Sequence, residues 1–398
     1  MNVRCEERPD AEGSDGPLEC CPVTGANATG SNEVRLTALG SRFLVTGASD
    51  HAAATLRRQW ARLPGGGSGG DPELTIDLRS VPEVQQARAL LSQVTIRAIE
   101  AAAGTRLMLH GAALADSRGR VLALVGPSGM GKTTASVYLS RHGYGYVTDE
   151  TVSIGLSGDV LPFSRPLSLR RPGGEVQRSP DELGLGQPSS ELSIARIVIL
   201  DRIPGGSAPM LTAVPFTDAL LELIPQTSAL ATLPDPVQFM SRTIDRCGGV
   251  LRLTYGEMDE RVLSLLSELQ DRHVEAGNRW HAVVPQQPRS DDLTSRRSSS
   301  VDDTKLFHGS VLDGVATDSE ALFLVGHVPV RLGEIGLAIW EAARDGIVPS
   351  EIVSTIERKY GAHPEAPRIV RMAVDQMVEA ALLVAGAEQV PTAQAASK

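Results

Sequence analysis

The spacing of apolar residues predicts a chain that alternates between strands and helices. Two short strands are predicted from Val34 to Thr46 and a helix from His51 to Leu63. A strand from Leu74 to Leu78 and a helix from Pro82 to Ala103 follow, the helix ending at Gly104. This alternation is typical of an α/β protein.

The densest alternation runs from Arg106 to about Gln270. Strands are predicted at Leu107 to His110, Val121 to Val125, Gly145 to Thr148, Ile194 to Leu200 and Val250 to Leu253, with a hairpin from Val152 to Leu161. Helices are predicted at Thr133 to Leu139, Thr217 to Leu223, Val237 to Asp245 and Arg261 to Leu269. We therefore expect a main domain over residues 33–275.

A smaller unit is predicted at the C-terminal end. Residues 276–303 form a linker, rich in Arg, Ser and Asp from Gln286 onward. Residues 304–388 carry strand-like pieces followed by three amphipathic helices. Residues 1–32 are polar and lack an apolar pattern, so we expect a disordered head, and residues 389–398 form a polar tail.

A glycine-rich octapeptide follows the strand predicted at Val121 to Val125. It reads Gly-Pro-Ser-Gly-Met-Gly-Lys-Thr and fits G-x-x-x-x-G-K-[ST], between a strand and a helix as a phosphate-binding loop requires. Glycines let backbone N–H groups turn toward phosphate oxygens, and the helix N-terminus adds positive potential. The residues predicted to bind ATP are Gly126, Pro127, Ser128, Gly129, Met130, Gly131, Lys132, Thr133 and Thr134.

Lys132 would reach the β- and γ-phosphates, and Thr133 would bind Mg²⁺. The composition supports this prediction. Only four of the 38 Lys and Arg residues are lysines, and one of these four stands in the loop.

Two predicted strands end in acidic residues that could complete a phosphoryl-transfer site. Asp149 and Glu150 follow the strand at Gly145 to Thr148, and Asp201 follows the strand at Ile194 to Leu200. An adjacent pair of carboxylates can supply both a metal ligand and a base, so Asp149 and Glu150 are candidates for both roles. Spacing alone does not decide between the two strands.

His110 and three arginines are further candidates. His110 ends the strand before the loop's own strand and could orient a carboxylate at the same sheet edge. Arg165, Arg170 and Arg171 lie in a short stretch with prolines, where each could clamp phosphate or substrate or could be an ordinary surface residue.

Composition narrows the partners and the compartment. The formal net charge of −10 argues against a general nucleic-acid or anionic-membrane binder. The sequence has neither a membrane-length apolar run nor a signal-peptide pattern, so we expect a cytoplasmic protein. Cys5, Cys20, Cys21 and Cys247 are interpreted as reduced thiols.

Three motifs in this order resemble the HPr serine kinase/phosphorylase family, above all its short bacterial relatives. They are the Leu-His-Gly at Leu109 to Gly111, the phosphate-binding loop, and the Asp149-Glu150 pair after a Gly-Tyr-containing strand. The similarity is close from Leu107 to Ile154 and continues to Gln270 only in the order of elements. It implies a P-loop core with a mixed sheet.

The resemblance also implies roles for individual residues. Lys132 and Thr133 would bind ATP and Mg²⁺, Asp149 and Glu150 would serve as base and metal ligand, and His110 would support the base. Asp149 is our candidate for the base. The chain has Glu150 where the HPr kinases proper have Asp, and it lacks their later glycine-rich segment. The protein HPr as substrate and the reverse phosphorylase reaction are therefore not expected.

The C-terminal unit resembles PqqD-like domains, which are small winged-helix (α+β) units that bind the leaders of ribosomally made peptides. The resemblance covers about Asp303 to Ala385 and is carried by Leu332 to Glu341 and Ile347 to Ile352. It implies that an extended peptide adds to the edge of the domain's sheet. The alternative interpretation is that this winged-helix unit serves in packing or in dimerisation, and dimerisation would make the chain a homo-oligomer. Residues 304–388 hold seven Lys/Arg against twelve Asp/Glu, which disfavours DNA.

The sequence thus predicts an ATP-dependent kinase that phosphorylates a hydroxyl on a precursor peptide or protein recruited by the C-terminal domain. Two alternatives remain. One is a nucleotide-dependent module that presents a peptide to another enzyme without phosphorylating it, and the other is a small-molecule kinase.

Overall fold

The computed structural model describes residues 32–63, 65, 71–171, 174–206, 208–272, 280–283 and 305–385. The predictions for the head up to residue 31, for most of the linker and for the tail fall outside these ranges, as do Cys5, Cys20 and Cys21. The side chains of Arg170 and Arg171 are likewise outside the description.

The chain has an α/β fold, as predicted, and begins with a small unit on a three-stranded sheet. Its elements are β1 (Val34–Ala38), β2 (Ser41–Thr46), α1 (Asp50–Gln59), β3 (Leu74–Asp77) and α2 (Glu83–Ala102). β2 pairs antiparallel with β1 and parallel with β3, and both helices pack on this sheet. Ser49 caps α1 by accepting a hydrogen bond from the backbone N–H of Ala52.

The central unit is built on a nine-stranded mixed sheet. Its elements are β4 (Leu107–Ala115), β5 (Arg120–Val125), α3 (Lys132–Arg141), β6 (Gly145–Thr148), β7 (Thr151–Ile154), β8 (Val160–Leu161), β9 (Leu167–Arg171), β10 (Gly174–Arg178), β11 (Ser193–Arg202), β12 (Met210–Val214), α4 (Phe216–Leu223), β13 (Thr227–Ser228), α5 (Pro236–Arg246), β14 (Val250–Tyr255) and α6 (Glu260–Asp271). The main strand order is β12-β14-β11-β5-β4-β7-β8, while β9 and β10 form a separate hairpin. Helices α3 and α6 share a buried cluster on one face of the sheet, and α4 and α5 share another cluster on the other face.

Strand β4 organises the sheet around the predicted site. Its second half pairs antiparallel with β5, and Gly111 lies opposite Val125, the last residue of β5. β6 and β7 both pair antiparallel with β4 along its other edge. β5 and β6 therefore run in the same direction, and their carboxyl ends lie at the same end of the sheet. Ligands bind at the carboxyl ends of the strands in such folds.

In its described residues, the C-terminal unit combines a four-stranded antiparallel sheet with three α-helices. Its elements are β15 (His281–Ala282), β16 (Leu306–His308), β17 (Asp313–Ala316), β18 (Glu320–Val325), β19 (Val328–Gly333), α7 (Glu334–Ala342), α8 (Pro349–Tyr360), α9 (Ala366–Glu379) and β20 (Leu383–Ala385). The sheet order is β15-β17-β18-β19, and β16 pairs with β20. β15 comes from the stretch predicted as linker and forms an edge strand of this sheet.

The C-terminal unit packs directly on α4 and α5. Val315, Leu322 and Leu324 of its sheet join the same buried cluster as the apolar residues of these two helices. The carboxylate of Asp313 accepts hydrogen bonds from the backbone N of Gln238 at 2.9 Å and from its Nε2 at 2.7 Å. The two units thus share a continuous core at this contact.

Candidate active site

The glycine-rich loop links the end of β5 to the start of α3. Gly129 and Gly131 have φ angles of 92° and 91°, a region that favours glycine. A Cβ atom on Gly131 would lie 2.7 Å from Tyr255 Oη, whereas a Cβ on Gly129 would have no atom within 4 Å. The Gly131 site therefore excludes a side chain by contact as well as by backbone conformation.

Lys132 and Tyr255 stabilise the loop through hydrogen bonds to its carbonyl oxygens. Lys132 Nζ donates to the carbonyl oxygens of Gly126 at 2.6 Å and Pro127 at 3.2 Å. Burial lowers the pKa of Lys132, although the charges of Glu150 and Asp149 act in the opposite direction. Tyr255 Oη donates to the carbonyl oxygen of Met130 at 2.7 Å, and burial raises the pKa of this phenol to about 12.

Asp149 lies beside the hydroxyl that follows the loop lysine. Thr133 Oγ1 donates to Asp149 Oδ2 at 3.3 Å, and Tyr146 Oη donates to Asp149 Oδ1 at 3.0 Å. The Asp149 side chain is buried, with 4% of its surface exposed. Burial, followed by the Asp149 charge, raises the pKa of Tyr146 well above its usual range, so Tyr146 stays a hydrogen-bond donor.

Glu150 occupies a more open position between His110 and Arg165. Arg165 Nη2 donates to Glu150 Oε2 at 2.6 Å, and His110 Nδ1 lies 3.4 Å from Glu150 Oε1. Burial acts to raise the pKa of Glu150, but the hydrogen bond from His110 and the charge of Arg165 outweigh it, so the net pKa is lowered. The Glu150 side chain is 32% exposed.

Asp149 and Glu150 lie in the break between β6 and β7, which follow one another along the same side of β4. Ala113 pairs with Thr148 and His110 pairs with Thr151, so Asp149 and Glu150 stand opposite Ala112 and Gly111 of β4. Thr148 Oγ1 accepts hydrogen bonds from the backbone N atoms of Glu150 at 3.2 Å and Thr151 at 3.4 Å, which stabilise the bend of the chain at the break.

Gly111 is needed at this point of β4. A Cβ on Gly111 would lie 2.8 Å from the carbonyl oxygen of Leu124, closer than a side chain allows. Its backbone N donates to the carbonyl oxygen of Glu150 at 3.0 Å, which ties the acidic pair to the strand that carries His110.

The structure brings together Lys132, Thr133, Asp149, Glu150 and His110, and it adds two residues without a predicted role in this cluster. Arg165 was predicted only as a phosphate or substrate clamp or a surface residue, yet its side chain is 8% exposed and touches both acids. Tyr146 was predicted only as part of the strand at Gly145 to Thr148, without a role in the site. No sequence signal distinguishes Arg165 from its neighbours Arg170 and Arg171.

Asp201 has a different partner. It lies near the end of β11, beside β5, and its Oδ2 accepts a hydrogen bond from Thr254 Oγ1 at 3.2 Å. Thr133 instead bonds to Asp149, so the geometry favours the acidic pair after β6 as the partner of the loop.

The donor set fits a nucleotide with Mg²⁺. In the described part of the chain there is no group of three or more His, Cys, Asp or Glu side chains that could hold a metal by itself. Mg²⁺ at phosphate sites needs only one or two carboxylates, since phosphate oxygens and waters fill the other positions. Thr133 and Asp149 present such hard oxygen atoms next to a loop of glycines and a lysine.

The comparisons with known proteins yield likenesses among solved structures and no match to a known sequence family. No model of a known protein family matches the chain, and no curated protein matches it significantly. Among solved structures, the chain is similar to the Hpr(Ser) kinase/phosphatase from Coxiella burnetii, with 10% sequence identity and a TM-score of 0.23 over 40% of this chain and 94% of that chain. The candidate site therefore rests on the geometry described above.

The helices give no sign of a bilayer-spanning segment. Across the described ranges, none combines the length and the apolar character that crossing a membrane requires.

Proposed function

We propose that this protein is an ATP-dependent kinase that phosphorylates a hydroxyl group on a ribosomally made precursor peptide or protein. The observation that carries the proposal is the contact between the loop and the acidic pair: Thr133 Oγ1 bonds to Asp149 while Glu150 stands beside it, next to His110. Phosphoryl transfer needs phosphate binding, a metal-holding acid and a group that receives the acceptor's proton. All three kinds of group meet at one sheet edge.

Each role follows from the surroundings of the residue. Residues Gly126 to Thr134 hold the phosphates through backbone N–H groups and the Lys132 ammonium. Thr133 and Asp149 hold Mg²⁺, which supplies charge neutralisation on the phosphates when bound. Glu150 is the more exposed acid and orients the acceptor hydroxyl and accepts its proton, with His110 beside it. This assignment exchanges the base role expected for Asp149 with the supporting role expected for Glu150.

The C-terminal unit offers a surface for recruiting the peptide. β19 is an edge strand of the described sheet, and beside it a groove of about 500 Å³ runs between β19, the start of α7, and α9. An extended peptide can add to such an edge through main-chain hydrogen bonds while its side chains fill a neighbouring groove. Recruitment there would raise the local concentration of the acceptor near the catalytic centre.

The direct test is phosphate transfer. We would incubate the full chain with ATP, Mg²⁺ and the short peptides encoded beside its gene, and measure the intact mass of each peptide. A gain of one phosphate that is lost in Lys132→Ala and strongly slowed in Glu150→Gln supports a peptide kinase.

Other outcomes point to other classes. A peptide that binds the chain but gains no phosphate argues for a presenting module. Phosphate transfer to metabolites but not to peptides argues for a small-molecule kinase. Absence of both binding and transfer overturns the proposed function.

A further inference from the structure

The four oxygen atoms of the acidic pair divide into two inner and two outer atoms. The inner atoms are Asp149 Oδ1 and Glu150 Oε2, and both contact Arg165 Nη2, at 3.5 Å and 2.6 Å respectively. The outer atoms are Asp149 Oδ2, which faces Thr133, and Glu150 Oε1, which faces His110. One guanidinium thus occupies the side of each carboxylate that faces away from the loop hydroxyl and the histidine.

Hydrogen bonds to β6 hold the backbone next to Arg165 in place. Ser164 Oγ donates to the carbonyl oxygens of Tyr146 at 3.1 Å and Val147 at 3.3 Å, which fastens the backbone next to Arg165 onto β6. Tyr146 Oη shares Asp149 Oδ1 with the guanidinium. The planar guanidinium can contact two acceptors in fixed directions, which an ammonium cannot do.

The burial of Arg165 is costly and calls for an explanation. Its side chain is 8% exposed, and its buried Nε has no hydrogen-bond partner among the residues that the structure describes. A buried unsatisfied donor costs roughly 1–3 kcal/mol, and such exceptions recur where a residue serves a function. The contacts with both acids are the only charged contacts of Arg165 among the described residues.

We propose that Arg165 is a positioning residue for phosphoryl transfer, which binds the inner oxygen of each acid and so turns the outer oxygens toward the metal-binding hydroxyl and the acceptor. The inference rests on the proposed kinase function. It assigns Arg165 to the acids, in place of the phosphate or substrate that the sequence suggested, and Tyr146 assists it at Asp149.

The test compares Arg165→Ala and Arg165→Lys with the unchanged chain. For Arg165→Ala we expect kcat to fall by about 10²-fold, the scale of a misplaced reacting group, while the Kd for ATP changes by less than about threefold. Arg165→Lys should retain an intermediate kcat, because it keeps the charge but loses the fixed N–H directions of the planar guanidinium. Millimolar guanidinium should restore part of the kcat of Arg165→Ala, and equal ammonium should not.

A matched control separates positioning from folding. Arg196 is also buried and donates to the carbonyl oxygens of Leu269 and Cys247, farther back along β11. Arg196→Ala should lower the melting temperature while kcat stays within about twofold and does not respond to guanidinium.

Three results would overturn the role of Arg165 while leaving the kinase proposal intact. They are an unchanged kcat in Arg165→Ala, a loss without guanidinium rescue that Arg165→Lys shares in full, and a loss explained by weaker ATP binding. Absence of any phosphate transfer by the unchanged chain is a different result, because it removes the proposed function on which the inference rests.

Discussion

Asp149 and Glu150 are adjacent in the sequence but have different surroundings. Asp149 is buried and bonded to Tyr146 and Thr133, whereas about a third of the Glu150 side chain is exposed, beside His110. A group that holds a metal benefits from a fixed, buried position, and a group that receives a proton must reach the acceptor. The environment therefore supports the roles proposed above for the two acids, which residue type alone left undecided.

Replacing each acid by its amide should give two different kinetic defects. In Asp149→Asn we expect the Mg²⁺ concentration for half-maximal activity to rise at least about tenfold, because a charged ligand is lost. In Glu150→Gln we expect kcat to fall by about 10²- to 10⁴-fold with little change in that Mg²⁺ concentration. Steady-state rates over a Mg²⁺ series distinguish them, and the reverse pattern would return the base role to Asp149.

His308 in the C-terminal unit should make stability depend on pH. Its ring stacks on Trp340 at 3.7 Å, and its Nε2 lies 2.7 Å from the carbonyl oxygen of Trp340. Burial lowers the pKa of His308 more than that hydrogen bond raises it. As the pH falls below about 6.5, His308 is therefore protonated in the unfolded chain before it is protonated in the folded chain. The contribution of neutral His308 to the free energy of unfolding is complete above that pH and declines below it.

Thermal melts at about pH 5.5 and 7.5 test this expectation. His308→Phe keeps a ring against Trp340 but removes the titrating group, so its melting temperature should differ less between the two pH values. An equal difference in the variant and the unchanged chain would show that other groups cause the pH dependence.

At the scale of elements, the sequence predicts most of the central unit, since β5, the loop and α3 follow from one motif and one apolar run. It predicts β4 only as far as His110, because Gly111-Ala112-Ala113 has low strand propensity, although these residues are buried and all three pair with β5. It misses β12 and β10, whose residues are mostly exposed and lack a clear alternation. The two-residue strand β13 is too short to give a periodic signal.

The candidate site also has a part that the sequence predicts and a part that it does not. The loop and the acidic pair are local patterns, so the sequence names them. Their mutual contact depends on the register of β4 against β5 and β6, and Arg165 enters through a turn with no pattern of its own. Such contacts are set by tertiary packing, which residue spacing does not encode.

The loop element gives a matched pair of glycine variants. Gly129 and Gly131 have nearly equal positive φ angles, but only a Cβ on Gly131 would collide, at 2.7 Å from Tyr255 Oη. Both alanine variants bear a backbone cost of about 1 kcal/mol or more. Gly131→Ala should also break the bond between Tyr255 and Met130, so it should lose ATP affinity by a larger factor than Gly129→Ala, measured by calorimetry. Equal losses would mean that backbone strain alone decides.

At the scale of the whole molecule, the C-terminal unit is held to the central unit by a buried contact. Apolar residues of β17 and β18 share a core with α4 and α5, and Asp313 lies within this contact at 2% exposure. The contact surface is on the face of the central sheet opposite α3. The two units are therefore expected to unfold together, and a recruited peptide would be presented from a fixed position.

Asp313 tests this coupling. Its carboxylate accepts hydrogen bonds from the backbone N of Gln238 at 2.9 Å and the backbone N of Gly314 at 2.8 Å, so Asp313→Ala leaves one partly buried and one buried donor without this partner, at a cost of roughly 2–4 kcal/mol. Arg331→Ala is the control, since its ion pair with Asp218 is exposed and contributes at most about 1 kcal/mol. Calorimetry should show one transition for the unchanged chain and for Arg331→Ala, and a lower or split transition for Asp313→Ala. If the unchanged chain already melts in two independent transitions, the contact does not couple the units, and it does not hold the proposed peptide surface in a fixed position relative to the candidate active site.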